Sequence, residues 1–470
     1  MLRENSRVVS SRSSLISQAI ARARIDAVVK IDLAADDLVS ALLRISEDEV
    51  VCILDSGGVR HLGSHLLVAG VRPVEVLELA TDDPNTTLSV LDQKLSGNDA
   101  AIFTLSYEFG ARLQGLSVHG VQEASREPDA FLALFDCLVI HDYELSETYL
   151  TGDSAKFAEV SDLLVGRAET FLPRHLPALP ETVNVESSFT KAEYVAAVET
   201  IQEHIRRGDT YQTNLTQQLR CELPADTPPQ QMFWRLRRDH PAPFAAFLTR
   251  NSSTVVSASP ERFFRVTPDG SIESSPIKGT RRRGKNAKED SELRAELESS
   301  GKDRAENTMI VDLVRNDLGR VCEYGTVCVE KLCDIEEHPT LFHLVSTVRG
   351  KLRPGVRFSE ILRAVFPCGS ITGAPKIRTI KIIHEIEAVN RGLSMGAIGC
   401  YFPDWASQAA DSIFDLSVAI RTTVVRSGEA VFNVGGGVVI DSDPEKEYEE
   451  SLLKAAALMN SFGGEIKEAS

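Results

Sequence analysis

Strand-length apolar segments follow one another in groups, with helical patterns separating the groups rather than every strand, and this arrangement limits the possible folds more than any other feature of the chain. After Gly208, the residues Tyr211, Thr213, Leu215, Gln217 and Leu219 alternate with others at the period of a strand. Thr254–Ser257 and Arg262–Val266 come next, and Thr326–Cys333, Ala397–Phe402, Ser412–Val425 and Ala430–Val434 continue the series. Helical patterns are gathered in separate blocks at Asp290–Val314, Phe358–Val365, Lys376–Val389 and Glu445–Ser461. A parallel α/β sheet needs a helix between successive strands, so the pattern predicts an α+β fold.

One helix has both ends written out. Thr190 with Glu193 makes a capping box, Tyr194, Val198, Ile201 and Ile205 repeat at helical spacing, and Gly208 suits the position that ends it. Ahead of it, Pro173, Pro177 and Pro180 interrupt Leu172–Val185 and predict a linker over 172–186. Residues 1–171 then form an N-terminal region, with strands at Glu49–Leu54 and Ala100–Leu105 and a helix at Ser154–Phe171.

Composition narrows the function. The 470 residues are 43% hydrophobic and 25% charged, an ordinary globular balance. A net charge of −17 argues against binding nucleic acid and means that an anionic substrate must find local cations or a metal. No run of 18 apolar residues exists, so no membrane-spanning helix is expected. The eight cysteines form no CxxC pair, and Cys322, Cys328 and Cys333 lack zinc-ligand spacing. They read as reduced, buried thiols of a cytoplasmic protein. Residues 1–25 carry Arg3, Arg7, Arg12, Arg22 and Arg24, six serines and only Glu4 as an acid. This composition is that of a transit peptide, or of an ordinary first helix over Ser14–Arg24.

Several motifs carry chemistry. Asp303 and Glu306 lie three apart on one predicted helix, and Glu447, Glu450 and Lys454 share a stripe on another. Four carboxylates on two helices can make a Mg²⁺ site, although on spacing alone solvated surface charge is the first reading. In SPIKGTRRRG, Lys278 sits between Pro276 and Gly279 at a bend, with Arg281, Arg282 and Arg283 following. Neighbouring cations disfavour an ammonium, which makes Lys278 a candidate nucleophile; a basic loop that only neutralises an anion is the other reading. Gly279-x4-Gly284-Lys285 mimics a phosphate loop, but Asn286 stands where a magnesium-binding hydroxyl is needed. Glu261 in Ser259-Pro260-Glu261 is a candidate acid or base. His343 closes HPTLFH, whose spacing is not that of a zinc pair. Thr372 in SITGAPK precedes a helix start whose free amides favour carboxylates. Gly435-Gly436-Gly437 offers bare backbone, and Arg421 offers a bidentate carboxylate contact.

Together these describe a site for a small dianion. PIKGTRRRG, KDRAENTMIVDLVRNDLGRV, HPTLFHLVSTVRG, SITGAPK, IGCYF and GGGVVIDSDPEKEYEES resemble the chorismate-utilising enzymes: anthranilate synthase component I, the aminodeoxychorismate enzyme, and the isochorismate and salicylate synthases. The resemblance is strong from about 187 to 460, which it marks as a chorismate-binding catalytic domain followed by a tail over 461–470. It implies antiparallel sheets in a sandwich with helices outside, the N-terminal region completing the same body. Synthases that add water carry a lysine where this chain has Gln212, and anthranilate synthases usually read PIAGT where this chain has Lys278. The resemblance therefore implies amination of chorismate at C4 to 4-amino-4-deoxychorismate, a folate precursor, with release of anthranilate and pyruvate as the alternative.

The same resemblance implies the roles. Glu306 and Glu450 would hold Mg²⁺ directly, with Asp303 and Glu447 supporting it. Arg421, Tyr401 and Gly437 would hold the side-chain carboxylate, with Thr372, Gln212 and Lys454 also binding substrate. Lys278 would attack C2, Glu261 would act as the acid, and His343 and Thr280 would orient the ring. No glutaminase module is apparent, so ammonia would come from a separate glutamine amidotransferase subunit.

Overall fold

The computed structural model describes residues 28–59, 64–118, 126–168, 179, 182–337 and 341–466. The helix with explicit ends forms as its sequence dictates. It spans Lys191–Arg206, the Thr190 and Glu193 side chains cap each other's backbone, and Gly208 follows with φ +79°. The alternating segment after it becomes the Gln212–Glu222 strand, whose long antiparallel partner is Glu429–Val438.

Two sheets make the body. The larger runs, from edge to edge, through the strands Val28–Ile31, Glu147–Gly152, Cys137–Asp142, Leu66–Val71, Val51–Asp55, Phe244–Thr249, Thr254–Ser259, Thr422–Arg426, Glu429–Val438, Gln212–Glu222, Val183–Ser187 and Gly464–Ile466. The second runs through Ile277–Arg282, Leu341–Lys351, Ser271–Ser274, Arg262–Val266, Phe414–Val418, Ala397–Tyr401, Ala100–Leu105, Ala130–Phe135 and Glu75–Leu79, with Cys328–Glu337 also paired to Leu341–Lys351. Among the described residues every strand pair is antiparallel except Gly464–Ile466 with Val183–Ser187.

The two-residue period of each strand sorts side chains between layers. Cys52, Ala246, Leu248 and Val255 face Ile102, Ala133, Ile398 and Cys400 between the sheets. Their neighbours Val51, Ile53, Phe247 and Val256 point outward onto Leu42, Phe233 and Leu458 of the outer helices Ala35–Ile45, Pro229–Asp239 and Pro444–Phe462. On the other side Phe103, Leu416 and Val418 meet Ile310 and Val314 of Gly301–Gly319 and Ile361 of Phe358–Val365. The expected sandwich with helices outside is the observed fold. No described helix is long and apolar enough to cross a membrane.

Some boundaries differ from expectation. Val51–Asp55 pairs with Phe244–Thr249, and Ala100–Leu105 with Ala397–Tyr401, so strands from both sides of the proline-rich stretch share both sheets. The 172–186 segment ends inside the Val183–Ser187 strand, because Val183 and Val185 find buried positions there. The 461–470 tail begins as the end of Pro444–Phe462, turns at Gly463 (φ +78°), and adds the Gly464–Ile466 strand. The predicted Asp290–Val314 helix is two helices, Ala287–Ser299 and Gly301–Gly319, broken at Ser300, whose hydroxyl accepts from Asp303 N at 3.3 Å. Ser412–Val425 is split into two strands by a corner at Arg421, φ +50°. The helix expected at Ser154–Phe171 is a 3₁₀ turn followed by Phe157–Ala168. The arginine- and serine-rich residues 1–25, and 172–178 within the proline-rich stretch, lie outside the described residues.

Candidate functional site

A β-bulge aims Lys278. Ile277 pairs with Val345 and Thr280 with His343, so three steps on one strand face two on the other. Gly279 takes φ +80° at the bulge, and a Cβ there would stand 2.8 Å from Leu297 Cδ1 and 3.0 Å from Asp303 Cβ. Only glycine fits both constraints. Lys278 Nζ then donates to Ser370 O at 3.4 Å and lies 3.5 Å from where a Cβ on Gly437 would be. The same missing Cβ makes room for the Gln212 amide, with which it would collide. Gln212 is fully buried, and neither its amide nitrogen nor its oxygen has a protein partner. Such orphaned groups cost about 1–3 kcal/mol each unless a ligand satisfies them.

The three arginines that follow Lys278, expected from the sequence to act on it as neighbouring cations, are each engaged by an acid. Arg281 pairs with Glu296 and Asp303, Arg282 with Glu289, and Arg283 with Asp290 while its guanidinium stacks on Phe342. The strand's alternation and twist send these cations to the acidic helices beside it. Lys278 instead acts electrostatically on Glu261, Glu306 and Glu450.

Glu261 sits where the chain passes from the larger sheet to the second. Ser259 Oγ donates to Val418 O at 2.6 Å, and Val418 N donates to Glu261 O at 3.0 Å, which fixes the corner. Its carboxyl is buried and Oε1 has no partner. Burial holds its pKa above the usual carboxylate range; the Ser370 hydroxyl and the Lys278 charge pull the other way. Nearby, Thr280 Oγ1 and His343 Nδ1 are 2.9 Å apart.

Two helices bring acids to this place. Ser300 caps Gly301–Gly319 and Asp443 caps Pro444–Phe462. Lys302 Nζ lies 4.0 Å from Glu306 and 3.9 Å from Glu447, spanning the two helices. Lys454 Nζ lies 2.7 Å from Glu450 and donates to Gly435 O at 3.0 Å. Ser442 Oγ donates to Glu447 Oε1 at 2.7 Å. Burial raises the pKa of Glu306 and of Glu447. A Cβ on Gly436 would stand 3.1 Å from Glu447 Oε2 and 3.3 Å from Lys454 Nζ. Asp303 is engaged by Arg281 at 3.2 Å.

Among the described residues no three His, Cys, Asp or Glu side chains converge into a metal-ligating group. The donor chemistry nonetheless fits a hard divalent cation. All the candidate ligands are carboxylates, two of them are held toward the neutral form by burial, and an ammonium stands between them as the compensating charge.

Arg421 occupies the left-handed corner between Phe414–Val418 and Thr422–Arg426. Among the described residues no carboxylate pairs with it, and burial alone lowers its pKa. That describes a guanidinium suited to an incoming carboxylate. Thr372 is buried, and its hydroxyl donates to Cys368 O at 2.9 Å while its carbonyl accepts from Asn214 N at 2.8 Å.

Tyr401 is placed elsewhere. Its hydroxyl donates to Gly97 O at 2.9 Å and its ring packs on Phe414, centroids 5.2 Å apart. The strand period explains this: Ala397 and Tyr401 face the outer core, whereas Ile398 and Cys400 face the layer between the sheets. Three residues not singled out from the sequence belong to the site: Ser370, Lys302 and Asn214, whose Nδ2 is also buried without a partner. Ser370 was visible two positions before Thr372, and Lys302 one helical turn before Glu306.

Residues 51–460 match the family described as chorismate binding enzyme. The chain is 41% identical over 366 residues to an aminodeoxychorismate synthase of Streptomyces griseus, covering 76% of this chain and 49% of that protein. It is 37% identical over 371 residues to aminodeoxychorismate synthase component 1 of Bacillus subtilis, covering 77% of this chain and 76% of that one. The chain thus spans about half the length of the first relative and three quarters of the second. The fold matches anthranilate synthase component I from Streptococcus pneumoniae with a TM-score of 0.72 and 25% identity, covering 85% of this chain and 93% of that one. The bulged lysine, the crossover glutamate, the paired acidic helices and the glycine strand are accordingly read together: this chain belongs to the chorismate-binding enzyme family.

Proposed function

We propose that this chain aminates chorismate at C4, giving 4-amino-4-deoxychorismate. The observation that carries the reading is the position of Lys278 Nζ. It reaches Ser370 O and the bare Gly437 backbone, and acts electrostatically on the buried Glu261 carboxyl. The Nζ lone pair bonds to ring C2, both conjugated ring double bonds shift by one place, and the C4 hydroxyl leaves as water with the proton from Glu261. Ammonia then bonds to C4, both double bonds shift back, the C2–Nζ bond breaks to free Lys278, and a proton from the new C4 ammonium returns to Glu261. Each displacement runs through the conjugated diene, so two accessible steps replace one difficult substitution. Arg421 takes the side-chain carboxylate, Gln212 presents its unpartnered amide, and Thr280 with His343 orients the ring.

Mg²⁺ would be held by Glu306 and Glu450, with Asp303 and Glu447 in support, and would neutralise the ring carboxylate. Lys302 Nζ lies 4.0 Å from Glu306 and 3.9 Å from Glu447. Ammonia is cationic in bulk water at neutral pH, so delivery by a separate glutaminase subunit suits the second step; the relative named component 1 supports this. Seven of the eight cysteines are buried and all are free, which supports a cytoplasmic setting.

Incubation with chorismate, Mg²⁺ and an ammonium salt, followed by mass spectrometry, is expected to show the amino product without pyruvate, and Lys278→Ala to abolish it. The second reading, anthranilate synthesis, is favoured by the likeness to anthranilate synthase component I. Pyruvate together with a fluorescent aromatic product would establish it instead.

A further inference from the structure

The reacting pair is joined by a residue that so far has no role. Ser370 lies in the 3₁₀ turn Gly369–Ile371 and is 4% exposed. Its carbonyl accepts from Lys278 Nζ at 3.4 Å, while its hydroxyl lies 3.3 Å from Cys368 Sγ and against the Glu261 carboxyl. Either the Cys368 thiol or the Ser370 hydroxyl can donate across that 3.3 Å contact. The Ser370 hydroxyl pulls the Glu261 pKa down against burial, the effect of a donor on the ionised carboxylate. Glu261 Oε1 remains without a partner and is the atom left to carry the acid proton.

The turn itself is firmly seated. Arg391 Nη1 donates to Ile371 O at 3.0 Å, and Thr372 O accepts from Asn214 N at 2.8 Å, so the segment is tied to a buried ion pair and to the strand bearing Gln212. Ser370 cannot drift without moving both. Around Glu261 the charged and titratable groups are Lys278 from the Ile277–Arg282 strand and Cys368 beside the turn; Arg262, next in its own strand, is turned to Asp415 at 2.9 Å.

We propose that Ser370 is the positioning residue of the reaction, holding the Lys278 amine with its carbonyl and orienting the Glu261 carboxyl with its hydroxyl. The proposal rests on the amination reading, and its test separates the two.

Ser370→Ala keeps the carbonyl and removes only the hydroxyl. Wild type, Ser370→Ala and Ser370→Thr are assayed with chorismate, Mg²⁺ and ammonium across pH, and the fold of each is checked by circular dichroism. In Ser370→Ala, kcat is expected to fall roughly 10- to 100-fold with KM for chorismate nearly unchanged. The hydroxyl favours the ionised carboxylate, so its loss raises the acid's pKa, and the alkaline limb of kcat moves up by roughly one pH unit. Ser370→Thr restores the wild-type rate and limb. If Ser370→Ala does not fold, Ser370→Cys, similar in volume with a weaker donor, carries the same comparison. An unchanged kcat and limb in the hydroxyl-less variant, or equal loss in Ser370→Thr, overturns the proposal. A wild-type protein that never aminates chorismate overturns the underlying reading instead.

Discussion

Two arginines of this chain are withdrawn from water, in opposite surroundings. Arg391 is 3% exposed and its guanidinium is used up: Glu387 takes two bonds at 2.7 and 2.8 Å, Ile371 O and Asn214 O take others, and the Tyr107 ring covers it at 4.5 Å. Arg421 stands at a left-handed corner with no acid paired to it among the described residues, and burial only lowers its pKa. A cation with a complete set of partners is a joint of the fold. A cation without one is poised for an anion from outside. The first is bonded to the turn that carries Ser370, and the backbone carbonyl of the second accepts from Ala258 N close to the corner that carries Glu261.

The comparison can be broken in four ways, from the largest expected effect down. Glu261→Gln removes the acid. A fall of about 10²- to 10⁴-fold in kcat is expected, with the alkaline limb of the pH–rate profile gone. The sign follows from the raised pKa of Glu261: its proton persists above the usual carboxylate range, and activity declines only as pH passes the raised value. A variant that keeps the limb removes Glu261 from the reaction.

Arg391→Ala leaves Glu387 buried and uncompensated. It is expected to cost about 3–5 kcal/mol of stability in denaturant unfolding. Arg421→Ala leaves no buried acid behind, so stability is expected to change by less than about 1 kcal/mol while KM for chorismate rises roughly 10- to 100-fold. If the two variants exchanged phenotypes, the contrast between joint and ligand site would fail.

Gly437→Ala would press on the Gln212 amide, the far end of a side chain that can turn. A fall in turnover of about tenfold with little loss of stability is expected, read from steady-state kinetics and thermal melting. Removal of the divalent cation with a chelator sharpens the acidic side of the site. Mg²⁺ at about 100 times its Kd should add about 2.7 kcal/mol of stability in wild type and markedly less in Glu450→Gln.

Much of this architecture was legible in one dimension. The capping box at Thr190 and Glu193, the strand that follows, and the grouped strands announcing an α+β fold are local signals, and they hold; the antiparallel sandwich that the family resemblance implied holds too. Helix spacing also placed Glu306 on one stripe and Glu447, Glu450 and Lys454 on another. What failed was the charge argument for Lys278, because Arg281, Arg282 and Arg283 each meet an acid that only the folded chain brings near. The strand bearing Tyr401 was expected, but the role the resemblance gave Tyr401 is not supported, because its hydroxyl is bonded to Gly97 O and its ring lies in the outer core.

The sequence alone determined which residue types the chain carries and how they repeat, and hence the elements, the family motifs and the candidate lysine, glutamates and glycines. Tertiary structure alone decided which of them meet. A bulge turns Lys278 toward Gly437, a corner buries Glu261, and a left-handed turn at Arg421 leaves it with no paired acid among the described residues. Those outcomes depend on register and burial between segments roughly 90 to 160 positions apart, such as Lys278 with Ser370 and Glu261 with Val418, and backbone spacing within one segment carries no record of them.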